Sequence, residues 1–264
     1  MAVSNDHMQP VLEARGLMKK YSAVTAVREI SFTISGGEVL GLLGPNGSGK
    51  STIVKMITGL IDPTLGSVLF HGVPVAGSLG NFKDRLGYVP EAPELYGFLT
   101  GWEYLDLVAT LRRIDRRRFR DKASAMLHAL TLYGSRHTPI GSYSKGMRQR
   151  IVLISALMHD PEVLVLDEPF SGLDVTSAMV MRHVIAQLAA GRTAILFSSP
   201  VLEQADRLCT HLVVLKRGVV AGAGTIQDMR AGFAGLGLED GFMQLTEQVD
   251  ANRIARDFVS AVRA

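Results

Sequence analysis

The segment Gly44-Pro-Asn-Gly-Ser-Gly-Lys-Ser51 fits the pattern G-x-x-x-x-G-K-[ST]. It lies between a short apolar run, Val39 to Leu43, and a stretch in which Ile53, Ile57 and Leu60 recur at helical spacing. A strand that turns through a glycine-rich loop into a helix is the setting in which backbone N–H groups converge on phosphate oxygens, with the positive end of the helix dipole behind them. In this reading Gly44, Pro45, Asn46, Gly47, Ser48 and Gly49 form the cradle. Lys50 meets the β and γ phosphates, the Ser51 hydroxyl holds Mg²⁺, and Thr52 bonds the α phosphate. A glycine turn with a chance lysine has the same composition, and the strand and helix around it argue for the phosphate loop.

A second run, Val163 to Leu166, is apolar throughout, as a strand buried on both faces of a parallel sheet requires, and it ends in Asp167-Glu168. A carboxylate at a strand's C-terminal edge can hold Mg²⁺ through water, which is the role read for Asp167. Glu168 follows, placed to take a proton from an attacking water. By itself an Asp-Glu pair after a strand also suits a solvated turn; the phosphate loop upstream makes it a companion signal.

Short apolar runs at Val27 to Ile34, Ser67 to Phe70, Arg85 to Val89, Ala194 to Phe197 and Leu212 to Leu215 read as further strands. Helical pieces at Thr176 to Ala190 and from Val201 alternate with the later ones, which implies βαβ units and an α/β fold. Between Thr100 and Met158 helical periodicity takes over, in an inserted helical region. Gly232 to Gly241 reads as a linker, and Ile254, Phe258 and Val262 repeat at helical spacing beyond it.

The chain has 264 residues, with 28 Lys and Arg against 25 Asp and Glu, a net charge of +3 that is too small to point to nucleic acid. Its one cysteine, Cys209, excludes an internal disulfide or a thiolate metal cluster and fits a reducing compartment. No run reaches the length of about 18 apolar residues of a spanning helix, and the N-terminal sequence lacks a signal-peptide pattern, so a soluble chain is expected. A mean hydropathy of +0.20 suits either an apolar surface facing a partner or a core rich in Ala and Val.

Tyr143-Ser-Lys-Gly-Met-Arg-Gln-Arg150, shortly before the Asp167 strand, resembles the signature motif of ATP-binding cassette ATPases. The resemblance runs from about Val11 to Gly224 and takes in, in order, Tyr21, the phosphate loop, Glu91 in Tyr88-Val-Pro-Glu, the signature, Asp167-Glu168 and Ser171-Gly-Leu-Asp174. Tyr143 to Met147 and a Leu-Glu-Asp sequence at Leu238 look most like ATPase subunits of bacterial exporters for drugs, lipids, polysaccharides or ions.

The resemblance implies a P-loop NTPase core with a mostly parallel sheet and an antiparallel β edge, spanning 1–90 and 160–224. It also implies a helical signature subdomain over 91–159 and a C-terminal extension over 225–264. It implies ATP and Mg²⁺ as ligands, Glu168 and Lys50 as catalytic residues, adenine stacked on Tyr21, and Ser51, Asp167 and Glu91 at the metal. Ser144, a good N-cap, and Gly146 would address the γ phosphate held by the opposite subunit of a homodimer or heterodimer. Asp174 would sit at that boundary or cap the helix after it. The implied partner is an integral membrane permease docked near Glu91 to Arg113, which puts the chain at the cytoplasmic face of the membrane. The run Arg112, Arg113, Arg116, Arg117, Arg118 and Arg120 reads as a solvated helix face or as a contact for anionic head groups.

Two positions depart from the family pattern. Glu91 stands where glutamine is common. Ser198-Ser-Pro200 stands where the family places a histidine on the γ phosphate; Pro200 is expected in the first turn of the next helix, with Ser199 as its cap. One reading is therefore an ATP-hydrolysing transport subunit, with slow turnover expected from the missing histidine. The alternative is a cassette that binds ATP but scarcely turns over, regulating a heterodimer. Cassette ATPases of DNA repair or translation fit less well, since no long heptad insertion separates Lys50 from Ser144.

Overall fold

The computed structural model describes residues 9–232, 237–246, 256 and 258–262. Its centre is a six-stranded sheet with the order β10-β9-β3-β8-β7-β6, built from β3 (Val39–Leu43), β6 (Leu86–Val89), β7 (Val163–Asp167), β8 (Ala194–Ser199), β9 (His211–Lys216) and β10 (Val219–Thr225). Five of these strands run parallel and β10 closes one edge antiparallel to β9. All five residues of β7 are buried, because both faces of the sheet are covered.

The period of two along each strand divides the core. Val39, Leu43, Leu164, Leu166, Ile195 and Phe197 join one cluster with the helices α3 (Gly101–Leu111), α4 (Arg116–Ala129) and α5 (Lys145–Leu157). Leu40, Leu42, Val163, Val165, Ala194 and Leu196 face the other way, onto Ile53, Val54, Met56 and Ile57 of α1 (Lys50–Ile57). That helix is sandwiched between the parallel sheet and a second, four-stranded antiparallel sheet. The latter has the order β2-β1-β4-β5 and comprises β1 (Leu12–Tyr21), β2 (Val24–Ile34), β4 (Leu65–Phe70) and β5 (Val73–Pro74). The expected antiparallel edge is thus a separate sheet packed over α1, in addition to β10.

The helices of the inserted region begin at Gly101, where the helical periodicity of the sequence sets in. Thr100 caps α3 in a reciprocal capping box, accepting from the Glu103 amide while Glu103 accepts from the Thr100 amide. Asp115 accepts from the amides of Arg117 and Arg118 at the start of α4. Of the arginine run, Arg118 pairs with Asp160 at 2.7 Å and Arg112 donates to the carbonyls of Lys83 and Leu86, so these two are structural.

The C-terminal region corrects the linker expectation. After α8 (Ile226–Gly232), a helix α9 (Gly237–Thr246) occupies part of the glycine-rich stretch, since burying Phe242 against the main core outweighs the poor helix propensity of glycine. Ile254 lies outside the described residues; Phe258 and Val262 are helical and exposed. Among the described residues no helix is long and apolar enough to cross a membrane.

Candidate active site

The phosphate loop leaves β3 and enters α1 through conformations that only glycine adopts easily. Gly44 has φ +151°, and a Cβ there would lie 2.4 Å from the Leu215 carbonyl. Gly49, the N-cap of α1, has φ +107°, which fits the absence of a side-chain cap and leaves the helix N-terminus open. Lys50 follows, nearly fully buried, its Nζ donating to the carbonyls of Gly44 (2.8 Å) and Pro45 (3.3 Å).

Facing the loop is the end of β7. Asp167 is buried, and Glu168 turns out of the strand at φ +45°, a left-handed conformation that costs a non-glycine residue free energy. That turn brings Glu168 Oε1 to 3.9 Å from Lys50 Nζ. A cleft of about 370 Å³ opens between these elements, lined by Ala26, Asn46, Gly47, Gly49, Lys50, Ser51, Thr52, Glu91 and Glu168. Residues far apart in the chain therefore meet in one volume.

The electrostatics follow from burial and crowding. Burial lowers the Lys50 pKa, against the charges of Glu168, Asp167 and Glu91, which support the ammonium. Burial raises Asp167 despite the hydrogen bond it accepts from Ser198, and the Glu91 charge adds to the rise. Glu168 is raised by burial first and by Glu91 next. Tyr88 is pushed up to about 12 by burial and by the charges of Asp167 and Glu91. The cleft thus concentrates negative charge around one lysine and suits a ligand that arrives with a cation.

The residues fit a nucleotide with Mg²⁺. Among the described residues no cluster of three or more His, Cys, Asp or Glu side chains forms a self-sufficient metal site. A hydroxyl at Ser51 and carboxylates at Asp167 and Glu91 are hard oxygen donors that leave Mg²⁺ to complete its shell with water and phosphate oxygens. Ser48 Oγ is buried inside the loop without a hydrogen-bond partner, a polar atom suited to a ligand's phosphate.

Other expected site residues stand apart from this cleft. Tyr21 ends β1, half exposed, with the Lys19 ammonium 5.4 Å from its ring centroid. Ser144 caps α5, its Oγ accepting from the Met147 amide at 3.2 Å, and Gly146 lies in the first turn of that helix. The preceding Tyr143 is buried and donates its hydroxyl to the Ser135 carbonyl at 2.7 Å, which fixes the start of α5. Asp174 caps α6 (Val175–Ala190), accepting from Ser177 N at 2.9 Å.

Pro200 is not in the first turn of a helix: α7 (Leu202–Asp206) starts two residues later, with Val201 as its N-cap. Ser199 Oγ accepts from the Val201 amide at 2.9 Å and contacts Gln204 Oε1 at 2.8 Å, so it braces the turn without capping the helix. Sequence reasoning passed over Ser198, which the register of two parallel strands sets opposite Asp167 and which donates to Asp167 Oδ1.

The model of the ABC transporter family matches residues 27–171. An uncharacterized ABC transporter ATP-binding protein of Nostoc sp. is 37% identical over 208 residues, covering 78% of this chain and 62% of that protein. The ABC transporter ATP-binding protein NatA of Bacillus subtilis is 33% identical over 217 residues, 82% of this chain and 88% of NatA. A solved structure of an ATP-binding subunit of an ABC transporter superposes with a TM-score of 0.83 at 30% identity, covering 89% of this chain and 99% of that one. With its α/β P-loop fold and its phosphate loop, this chain belongs to the ABC transporter ATP-binding protein family.

Proposed function

We propose that this chain binds and hydrolyses ATP as the motor of a transporter whose membrane-spanning part is a separate permease subunit, and that it works in the direction of export. The observation that carries the catalytic reading is the convergence of Lys50, Ser51, Glu91 and Glu168 on one cleft.

The phosphate loop amides and Lys50 take the phosphates, and Thr52 bonds the α phosphate. Ser51, Asp167 and Glu91 would hold Mg²⁺, which would supply neutralisation of the phosphate charge. Glu168, its pKa raised by burial and by Glu91, accepts the proton of the attacking water. Tyr21 stacks on the adenine. Ser144 and Gly146 present the free amides of α5 to the γ phosphate bound by a second cassette, so that two chains close on two nucleotides in a two-fold arrangement.

In this reading 1–90 and 160–224 form the ATP-binding core, 91–159 the signature subdomain and 225–264 an extension. The permease, and with it a place at the cytoplasmic face of the membrane, is supported by an apolar groove of about 460 Å³. Leu60, Leu86, Tyr88, Val108 and Leu111 line it beside the charged Lys83, Asp84 and Arg112, with Leu60 and Leu111 largely exposed. The exporter assignment rests on the Tyr143 to Met147 signature and the sequence around Leu238.

Pro200 favours a second reading, a cassette that clamps on ATP and regulates a catalytic partner. Glu168 in contact range of Lys50 favours hydrolysis, because nucleotide binding alone needs no base there. The test is light scattering of Glu168→Gln with ATP and Mg²⁺. A dimer that persists with ATP and dissociates without it supports the sandwich, and a chain that stays monomeric in both conditions contradicts it.

A further inference from the structure

Asp167 and Ser198 are register partners on adjacent parallel strands. Alternation along β7 puts Asp167 on the face of Val163 and Val165, and alternation along β8 puts Ser198 on the face of Ala194 and Leu196. That is the face covered by α1, so both side chains point toward the phosphate-loop helix. Ser198 is fully buried, and its hydroxyl is used twice: Oγ donates to Asp167 Oδ1 and accepts from the Glu168 amide at 3.2 Å. The same amide also donates to the Ser198 carbonyl at 3.1 Å.

We infer that Ser198 is a positioning residue that sets both carboxylates of the site through one hydroxyl, orienting Asp167 toward Mg²⁺ and holding Glu168 in its left-handed turn. The inference deepens the ATP-hydrolysis reading and rests on it. Two physical arguments carry it. A carboxylate has two oxygens, and holding Oδ1 on a buried hydroxyl removes the rotation of the group and would leave Oδ2 to accept from a water on the metal. A non-glycine residue at positive φ persists only when its surroundings hold it there, and the Glu168 amide is tied to both polar oxygens of Ser198. No other side chain touches both residues in this way among the hydrogen bonds of the described residues. The next residue, Ser199, is equally buried, but its hydroxyl bonds Val201 and Gln204 and leaves the carboxylates alone.

The test compares wild type, Ser198→Ala and Ser199→Ala. A fluorescent ATP analogue is titrated once in EDTA and once across a range of Mg²⁺ concentrations, and kcat and KM for Mg-ATP are measured beside it. Removing a hydrogen-bond partner of a metal ligand commonly costs 10- to 100-fold in metal affinity. Ser198→Ala is therefore expected to raise the half-saturating Mg²⁺ by about tenfold or more and to lower kcat. Its nucleotide affinity in EDTA and the Mg²⁺ dependence of Ser199→Ala are expected to match wild type. Wild-type Mg²⁺ dependence in Ser198→Ala would overturn the inference while leaving the ATPase reading standing. An equal loss of affinity in EDTA would overturn it too, by making Ser198 a matter of folding. A wild-type chain that binds nucleotide in neither condition would overturn both this inference and the proposed function.

Discussion

Lys50 Nζ stands 3.9 Å from Glu168 Oε1, joining the first residue of α1 to the residue that follows β7 across more than a hundred positions of chain. The approach depends on the Glu168 turn at φ +45°, which lifts the carboxylate out of the strand direction toward the loop. Lys50 in turn is held by the Gly44 and Pro45 carbonyls. The loop and the Glu168 carboxylate are thereby tied to each other through Lys50.

Replacing Lys50 by Ala removes a charge-assisted donor worth about 1.5–3 kcal/mol, which is roughly a ten- to hundredfold loss of nucleotide affinity. Turnover is expected to vanish with it. A nucleotide titration and a phosphate-release assay of Lys50→Ala check this, and undiminished hydrolysis would sink the assignment of the loop.

Glu91 predicts a pH dependence. Burial and the Glu91 charge raise Glu168, so the base stays protonated to higher pH than an ordinary glutamate and its ionised form is lost earlier as pH falls. Glu91→Gln takes away that charge and lowers the Glu168 pKa. The acid limb of the kcat/KM profile is expected to move to lower pH in the variant; a limb that moves up or stays would contradict the coupling.

Pro200 occupies the position at which the family resemblance calls for a histidine on the γ phosphate. Because Val201 and Ser199 rather than Pro200 organise the start of α7, Pro200→His is expected to fold. Gaining a donor for the transferred phosphoryl charge is expected to raise kcat by on the order of 10²-fold. A rate equal to wild type would mean that this chain stabilises that charge without the imidazole.

Leu166, fully buried next to Asp167, belongs to the core shared with α5. Leu166→Ala is expected to cost about 2–5 kcal/mol, read as a lower midpoint in urea unfolding.

What the sequence disclosed was whatever is local. The phosphate loop lies in one segment, and β7 announces itself by four apolar residues before Asp167. Strand β1 was hidden because a register shift between Ala14 and Leu17 breaks the period of two on which its reading depends. Strand β10 carries four consecutive Gly or Ala residues, Ala221 to Gly224, and exposes Val219 and Val220, so it lacks a strand's usual composition. Helix α9 needs Phe242 docked on the core to offset its glycines, which is tertiary information. The candidate site divides in the same way. Lys50, Ser51, Asp167 and Glu168 follow from motif and context, whereas the pairing of Ser198 with Asp167 exists only through strand register.

The most direct test of the central claim is steady-state hydrolysis of Mg-ATP by the purified chain, with Glu168→Gln beside it. Measurable turnover in wild type that falls by about 10²- to 10⁴-fold in Glu168→Gln is the expected result. Equal turnover in the two proteins, or none in wild type while Pro200→His hydrolyses, would contradict it.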